Sequence, residues 1–316
     1  MNRADFRRRL KPWMLPIAMV LGLIFHSVID RLQWMVTPLI FTMLLITFCR
    51  IDPRQFRLSR LTFYIVGIQL GLGAGLYLAI APWSVELAQG AMICALCPTA
   101  TAAPVITAML GGSIATLVAI SLLSNTSVAL LVPPFFALIG AGGGEPFMAE
   151  FMSIAGRPMP MILGALLIAL LMMRYAPRVH RGLAGRQALS FYLWATLLVI
   201  VVGQTVSFAL REPPARIPEM VALALIAGAI CVTQFVVGRR LGRRFGDPVA
   251  GAQGLMQKNT GLAIWLALAY LDPISSIAPA AYIAWQNTIN SVQIYLHERR
   301  GDTISGRMRT NPAAKR

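Results

Sequence analysis

A lysine and its polar neighbours interrupt an apolar stretch that is otherwise long enough to cross a membrane. The residues from Gly254 to Ala263 read G-L-M-Q-K-N-T-G-L-A. Polar groups at membrane depth are costly and persist only where protein or a water-filled cavity satisfies them. A lysine there can hold a fixed positive charge for an anion, and because burial disfavours the charged form of an amine, it can also exchange a proton. The stretch predicts a binding site with four candidate side chains: Gln257, Lys258, Asn259 and Thr260.

Prolines and hydroxyl side chains interrupt a second apolar stretch. From Cys97 to Thr107 it reads C-P-T-A-T-A-A-P-V-I-T. Proline removes a helical hydrogen bond, and a broken helix exposes half-helix N-termini whose positive dipole ends favour anions. Two proline kinks with packed threonines are the alternative. The hydroxyl candidates for ligand contact are Thr99, Thr101 and Thr107.

Composition indicates the class of protein that positions these residues. Of 316 residues, 57% are hydrophobic and 13% are charged, which predicts an all-α polytopic membrane protein. The net charge of +16 would suit nucleic acid, but the cations flank apolar runs. We therefore expect the lipid bilayer as a partner and no nucleic acid. The four cysteines lack the spacing of a disulfide framework or zinc site, and no intramembrane carboxylate pair or histidine dyad is visible, so neither an enzyme nor a cofactor is expected.

Ten apolar segments approach the roughly 20 residues that a crossing needs. The first follows a basic N-terminus but lacks an evident cleavage site, so we expect it to be retained. With ten crossings, 23 of the 28 lysines and arginines fall on the side of both termini and four on the other, which predicts cytoplasmic termini. The remaining cation is Lys258. The predicted segments, numbered 1 to 10, are 12–30, 33–49, 61–82, 87–110, 114–140, 158–174, 188–210, 217–238, 249–271 and 275–297.

The segments divide into two halves. A glycine-rich external linker, 142–157, separates a first half (1–141) from a second (158–298), and a basic cytoplasmic tail covers 299–316. Five crossings per half is an odd number, so the second half enters the membrane from the opposite side. This is the topology of an inverted repeat, in which broken helices occupy equivalent positions and form the binding site near the midplane. The interruptions in segments 4 and 9 fit that pattern.

Segments 5 and 10 carry further amides and hydroxyls at near-helical spacing. Interhelical hydrogen bonding and substrate contact are alternative roles for them. The residues concerned are Asn125, Thr126, Ser127, Gln286, Asn287 and Asn290.

Two other features receive structural interpretations. Gln69 is followed by G-L-G-A-G from Gly71 to Gly75, which we interpret as a close helix-packing face, since no strand precedes it as in a nucleotide-binding loop. His26 has no evident partner and is interpreted as a satisfied interior group.

Three motifs resemble those of the bile acid:sodium symporter family. They are C-P-x-x-T-A from Cys97 to Ala102, N-T-G-L-A from Asn259 to Ala263, and P-A-A-x-x-x-W-x-N-x-x-x-S from Pro279 to Ser291. With the ten segments, the resemblance covers nearly the whole chain. It implies a panel domain of segments 1, 2, 6 and 7 and a core domain of segments 3–5 and 8–10, with segments 4 and 9 crossing where they unwind. Its bacterial members imply an inner-membrane location.

The chain departs from the family at positions that hold sodium. Ala103 and Pro104 stand where sodium-coupled members have Ser-Asn, and aligned on N-T-G-L-A, Gly254 and Lys258 stand where they have Glu and Gln. A lysine ammonium cannot ligate Na⁺. We therefore expect Lys258 to replace bound sodium as a built-in cation, with an anionic substrate as its partner. A one-residue gap in the alignment would instead put Gln253 and Gln257 at the ligand positions, so Na⁺ and H⁺ both stay open as coupling ions.

The expected function is secondary active transport of a small organic anion by alternating access, without strict sodium coupling. One alternative is a sodium-coupled symporter of the same family. Another is a metalloid or oxyanion efflux carrier that would use Cys97 near the break in segment 4. A membrane-embedded enzyme is the third and least favoured hypothesis, since the sequence offers no catalytic constellation.

Overall fold

The computed structural model describes residues 14–49, 59–100, 103–140 and 158–310. Within these ranges the secondary-structure elements are helices. Short 3-10 helices at Asp30–Met35, Pro214–Arg216 and Pro273–Ser276 connect some of them. In chain order the α-helices are α1 (Met14–Ile24), α2 (His26–Ile29), α3 (Val36–Cys49), α4 (Arg60–Ile80), α5 (Val85–Leu96), α6 (Ala103–Met109), α7 (Ile114–Gly140), α8 (Pro158–Tyr175), α9 (Pro177–Ala184), α10 (Gln187–Arg211), α11 (Ile217–Arg244), α12 (Pro248–Met256), α13 (Thr260–Tyr270) and α14 (Ile277–Thr310).

Helix length and apolarity indicate a membrane protein. In the described ranges, three helices are long and apolar enough to cross a membrane: Arg60–Ile80, Ile114–Val132 and Pro214–Arg244. Shorter apolar helices accompany them, including Val85–Leu96 and Thr260–Tyr270. Large apolar side chains lie exposed on the outside of the bundle, as suits contact with lipid. The predicted all-α membrane class is confirmed.

The helices pack as two groups. One, called here the four-helix group, consists of α1, α3, α8 and α10: α1 and α3 pack on α10, and α8 packs on α3. The other, called here the crossing group, contains α4 to α7 and α11 to α14, with α4 on α5 and α11 on both α12 and α14. A buried apolar cluster inside the crossing group includes Cys94, Leu223, Cys231 and Met256.

Glycines let α11 and α12 approach closely. Gly238 and Gly242, four residues apart on α11, face Gly251 on α12. A Cβ on Gly251 would meet the carbonyl oxygen of Gly238 and would lie 2.8 Å from the Gly242 Cα. Small residues at this spacing are typical of close packing between membrane helices. Gly246, with φ of +80°, lies in the turn that leads from α11 to α12 and adopts a conformation that side chains with a Cβ rarely adopt.

Two regions contain helix that the sequence analysis did not predict, and two other regions lie outside the described residues. The loop expected between segments 6 and 7 contains α9, which begins at Pro177 and ends before Gly185, a placement that both residues favour. α14 continues through the first part of the predicted tail, as far as Thr310. The predicted linker 142–157 and the residues before α1, 1–13, lie outside the described residues.

Candidate functional site

Two interrupted helices cross in the middle of the crossing group. α5 ends at Leu96 and α6 begins at Ala103, while α12 ends at Met256 and α13 begins at Thr260. Between these ends, Thr99 and Lys258 form an antiparallel bridge. The predicted interruptions in segments 4 and 9 are therefore both present, and the two interrupted regions lie against each other.

The non-helical segments 97–100 and 257–259, called here the crossing strands, form hydrogen bonds with each other's backbone groups. The Ala100 N–H donates to the Gln257 carbonyl at 2.8 Å, and the Asn259 N–H donates to the Pro98 carbonyl at 2.8 Å. Unwound backbone at membrane depth needs such partners, because water is absent there. Pro98 cannot donate a hydrogen bond itself, and here its carbonyl is the group that is used. The crossing is thus held by hydrogen bonds from both interrupted helices.

Side chains from α7 and α14 bind the central residues of the two strands. The Thr99 N–H donates to the Ser124 hydroxyl at 3.1 Å, and the Lys258 N–H donates to the Gln286 side-chain oxygen at 3.1 Å. Asn125 adds a hydrogen bond to the Thr99 carbonyl at 3.2 Å. Each interrupted helix is therefore bound through its central N–H by the long helix that follows it in sequence.

Three of the predicted amides form one buried chain of hydrogen bonds. Gln253 donates to the Asn290 side-chain oxygen at 3.0 Å, and Asn290 donates to the Gln257 side-chain oxygen at 2.7 Å. Gln253 Oε1 lies buried without a hydrogen-bond partner. Asn290 thus links α14 to both the end of α12 and the crossing strand.

Lys258 is enclosed within the crossing group. Its side chain is 1% exposed, and its Nζ has no hydrogen-bond partner. The buried thiols of Cys94, Cys97 and Cys231 are close enough to interact with it electrostatically. In the described part of the chain the ion pairs join Arg216 to Glu212 and Glu219, and no carboxylate pairs with Lys258. Lys258 is thus a buried amine whose hydrogen-bonding capacity is unused.

A small cavity separates the crossing from the four-helix group. Its volume is about 10 Å³, roughly enough for one water. Asn125 and Asn259 line it from the crossing group, and Lys258 does not. The four-helix group contributes Ile40, Met43, Leu44 and Leu197. The side chains of Asn125 and Asn259 therefore face the partner helix group, while Lys258 lies behind them.

A larger cavity of about 360 Å³ lies between the same two groups near one end of the bundle. Arg211, Gln204 and Ser207 line it from α10, and Trp265 and Leu268 line it from α13. This cavity combines a cation, polar groups and an apolar wall, which is the lining that binding sites for small organic molecules use.

The structure brings some predicted site residues to the crossing and leaves others away from it. Asn287 donates to the Ile283 carbonyl of its own helix at 2.6 Å, so its side chain is engaged there. Thr107 is buried near the far end of α6, where its methyl group lies beside Gly112. Thr260 begins α13 with its hydroxyl buried and without a partner, and Thr99 donates to the Gly254 carbonyl at 2.8 Å. Thr101 lies outside the described residues.

Gln69 supports the crossing, a role that the sequence analysis missed. Its Nε2 donates to the carbonyls of Leu96 and Cys97 at 2.8 and 3.1 Å, and its oxygen accepts from Ser124 at 2.8 Å. It therefore binds the carbonyl groups exposed where α5 ends. A lone amide in an apolar segment was the available signal.

The glycine run after Gln69 is only partly a packing face. A Cβ on Gly73 would lie 2.9 Å from the Leu96 Cβ, but Gly71 and Gly75 have nothing within 4 Å. Residues two positions apart on a helix point to nearly opposite sides, so the predicted close packing is wrong for Gly71 and Gly75.

Gln234 and Tyr282 support the other side of the crossing and were also missed. The Tyr282 hydroxyl contacts the Gln234 side-chain oxygen at 2.9 Å and the Met256 carbonyl at 2.8 Å. Gln234 donates to the Ala95 carbonyl at 3.2 Å. The last carbonyls of both α5 and α12 thus have side-chain partners. His26, interpreted as a satisfied interior group, contacts the Ser207 hydroxyl through Nδ1 at 3.1 Å.

Replacing Gln69 with leucine is expected to lower the stability of the protein by about 2–3 kcal/mol. The change leaves the Leu96 and Cys97 carbonyls and the Ser124 hydroxyl short of a partner, and a buried polar group left unsatisfied costs about 1–3 kcal/mol. The melting temperature of the detergent-purified variant measures this. Gln204→Leu, which changes an amide lining the larger cavity, is the matched control. An equal loss of stability in both variants would contradict a supporting role for Gln69.

Comparisons with known proteins add no family assignment. No family model matches the chain, and no curated protein matches its sequence significantly. A functional proposal therefore rests on the crossing, its enclosed lysine and the motifs in the sequence.

Proposed function

We propose that this protein is a secondary active transporter that moves a small organic anion across a membrane by alternating access. The crossing of two interrupted helices, with Thr99 bridged to Lys258, is the observation that carries the proposal. Transporters built from inverted repeats form their binding sites at such discontinuous helices. In the described part of the chain, no group of three metal-ligating side chains lies at this crossing.

The proposal treats the ten segments as a 5+5 inverted repeat. The residues bound at the crossing support this, because Ser124 follows the first interrupted helix and Gln286 follows the second, and each binds the central N–H of its strand. The four-helix group would form the panel domain and the crossing group the core domain. The cation distribution favours a cytoplasmic location for both termini, and the resemblance to bacterial symporters favours the inner membrane.

An anionic substrate follows from the charges around the crossing. Lys258 is a basic residue without a carboxylate partner in the described structure. α13 begins at the crossing, and its N-terminal dipole also favours negative charge. Because Lys258 lies behind the strand, it would act on a substrate through the electrostatic field, while Asn125 and Asn259 would make contact from the small cavity.

Lys258 also affects which ion could drive transport. It stands where the family that the sequence resembles has a sodium ligand, so a built-in cation in place of bound sodium would remove strict dependence on Na⁺. A proton remains the other possible coupling ion. Sodium-coupled symport is the second candidate, and the Gln253 Oε1 favours it, because this buried amide oxygen has no hydrogen-bond partner and could accept a cation. The metalloid carrier is less favoured, because the Cys97 thiol is buried and donates to the Asn259 carbonyl.

The melting temperature in the presence of organic anions tests the proposal. A ligand that binds the folded state raises its apparent stability. We expect a bound anion to stabilise the purified protein equally in sodium chloride and in choline chloride, and Lys258→Gln to remove the effect. Arg186→Gln, which removes an exposed cation far from the crossing, is the charge-matched control and should leave it unchanged.

Two outcomes would contradict parts of the proposal. Stabilisation in sodium chloride alone would favour the sodium-coupled alternative. If Lys258→Gln retained the full stabilisation by the anion, Lys258 would not be part of the binding site. Uptake of the stabilising anion into proteoliposomes then checks that binding leads to transport.

A further inference from the structure

A third cavity, also lined by polar groups, lies inside the crossing group, away from the crossing. Its volume is about 110 Å³. It forms just after the end of α6, near the end of α11, at the beginning of α12 and beside the middle of α14. Its lining residues are Leu110, Arg239, Val249, Gln293, Leu296 and His297.

The polar groups of this cavity can all donate hydrogen bonds. Arg239 presents a guanidinium, which carries several donors and a permanent charge. Gln293 Nε2 is buried and has no hydrogen-bond partner. His297 adds a ring nitrogen that donates in the appropriate tautomer. A buried amide left unpaired beside a guanidinium indicates that the cavity has an unfilled requirement for an acceptor.

The nearby carboxylate is engaged by backbone groups and is not hydrogen-bonded to these donors. Asp247, two residues before Val249, accepts from the Ala250 N–H at 2.8 Å and the Ser113 N–H at 3.0 Å. Both of its oxygens are therefore used by backbone groups. Asp247 caps α12 and is not among the residues that line the cavity.

The close packing of α11 on α12 fixes the position of the cavity. Arg239 directly follows Gly238, which contacts Gly251 on α12. Val249 lies one half-turn before Gly251, so the same helix contact sets two walls of the cavity. The Arg239 guanidinium also lies 5.8 Å from the Phe235 ring centroid, which restrains it further. The donors are thus held in place without a ligand.

We propose that this cavity is a binding site for a phosphate-type anion. Its volume is several times the roughly 10–15 Å³ that one water needs, so a tetrahedral anion with associated water fits. Arginine binds phosphate through paired charge-assisted hydrogen bonds. Arg240, Arg243 and Arg244 lie on the same end of α11, where they would attract anions towards the opening. The anion can be free phosphate or the headgroup of an anionic lipid, and the site does not depend on the transport proposal.

Two ligand series distinguish these sources. The first titrates inorganic phosphate against the protein in a neutral detergent, and the second compares nanodiscs of phosphatidylglycerol with nanodiscs of phosphatidylcholine. Melting temperature is the readout in both. Saturable stabilisation by phosphate assigns a soluble anion, and stabilisation by phosphatidylglycerol alone assigns a lipid headgroup. Either result supports the site.

Arg239→Gln tests the site against its neighbour Arg240→Gln, which removes the same charge from an exposed position one residue away. We expect Arg239→Gln to weaken binding about tenfold or more, because a hydrogen bond to a charged group is lost. Gln293→Leu is a second variant, which should weaken binding while leaving every positive charge in place. An equal loss in Arg239→Gln and Arg240→Gln would overturn the proposal in favour of diffuse attraction. Failure of both ligand series to stabilise the unaltered protein would also overturn it.

Discussion

Replacing Lys258 with methionine is expected to raise the melting temperature of the protein and to abolish its response to anions. The amine is 1% exposed and has no hydrogen-bond partner. A buried polar group without a partner costs about 1–3 kcal/mol, and methionine removes that cost while nearly conserving volume. The lysine is therefore expected to reduce stability in exchange for activity, as functional sites commonly do.

Lys258→Met should raise the melting temperature, whereas replacing other buried polar residues should lower it. Gln234→Leu is the matched control, because it also removes a buried polar group but leaves the Ala95 carbonyl without its side-chain partner. We expect Lys258→Met to melt above the unaltered protein and Gln234→Leu to melt below it. Anion-dependent stabilisation and uptake should fall to background in Lys258→Met. A lower melting temperature for Lys258→Met would show that the lysine contributes net stability.

The Gly251→Ala variant is expected to lose about 1–3 kcal/mol of stability, or more where the backbone has to move. The added Cβ would meet the Gly238 carbonyl oxygen and would lie 2.8 Å from the Gly242 Cα. Both obstacles are backbone atoms, so no side-chain rotation relieves the contact. The helices α11 and α12 would have to separate, which also moves Arg239 and the start of α12.

Gly71→Ala gives the opposite expectation at a second helical glycine. Nothing lies within 4 Å of a Cβ on Gly71, and replacing glycine with alanine in a compatible helix stabilises by about 0.4–1 kcal/mol. Chemical unfolding or melting temperature of the two variants measures the difference. Comparable stabilities would mean that α11 and α12 are not in close contact in the membrane.

The interruptions in the helices could be predicted from sequence because they depend on local chemistry. Pro98 and Pro104 cannot continue hydrogen bonding within a helix, and the polar residues from Gln257 to Thr260 favour a break in an apolar stretch. The near symmetry of the two positions fitted an inverted repeat, and the family resemblance implied that the two interrupted regions cross. The bridge between Thr99 and Lys258 agrees with that expectation.

The supporting residues could not be identified in the same way. Gln69, Gln234 and Tyr282 each stand alone in an apolar segment, and a single polar side chain does not indicate which distant carbonyl it will meet. Their partners depend on how the helices pack. For the same reason the sequence identified Lys258 but not its place behind the crossing strand, where it lies near Cys94 and Cys231.

The pairing of the two interrupted helices has a consequence for the biogenesis of the protein. Thr99 donates its hydroxyl to Gly254, and 155 residues separate the two. While the chain is being synthesised, Ala100 exists before Gln257, and at that stage its N–H has no Gln257 carbonyl to bind. Exposed backbone groups are costly in lipid. We therefore expect the newly made region around Ala100 to need water, an insertase or a chaperone until Gln257 has been added.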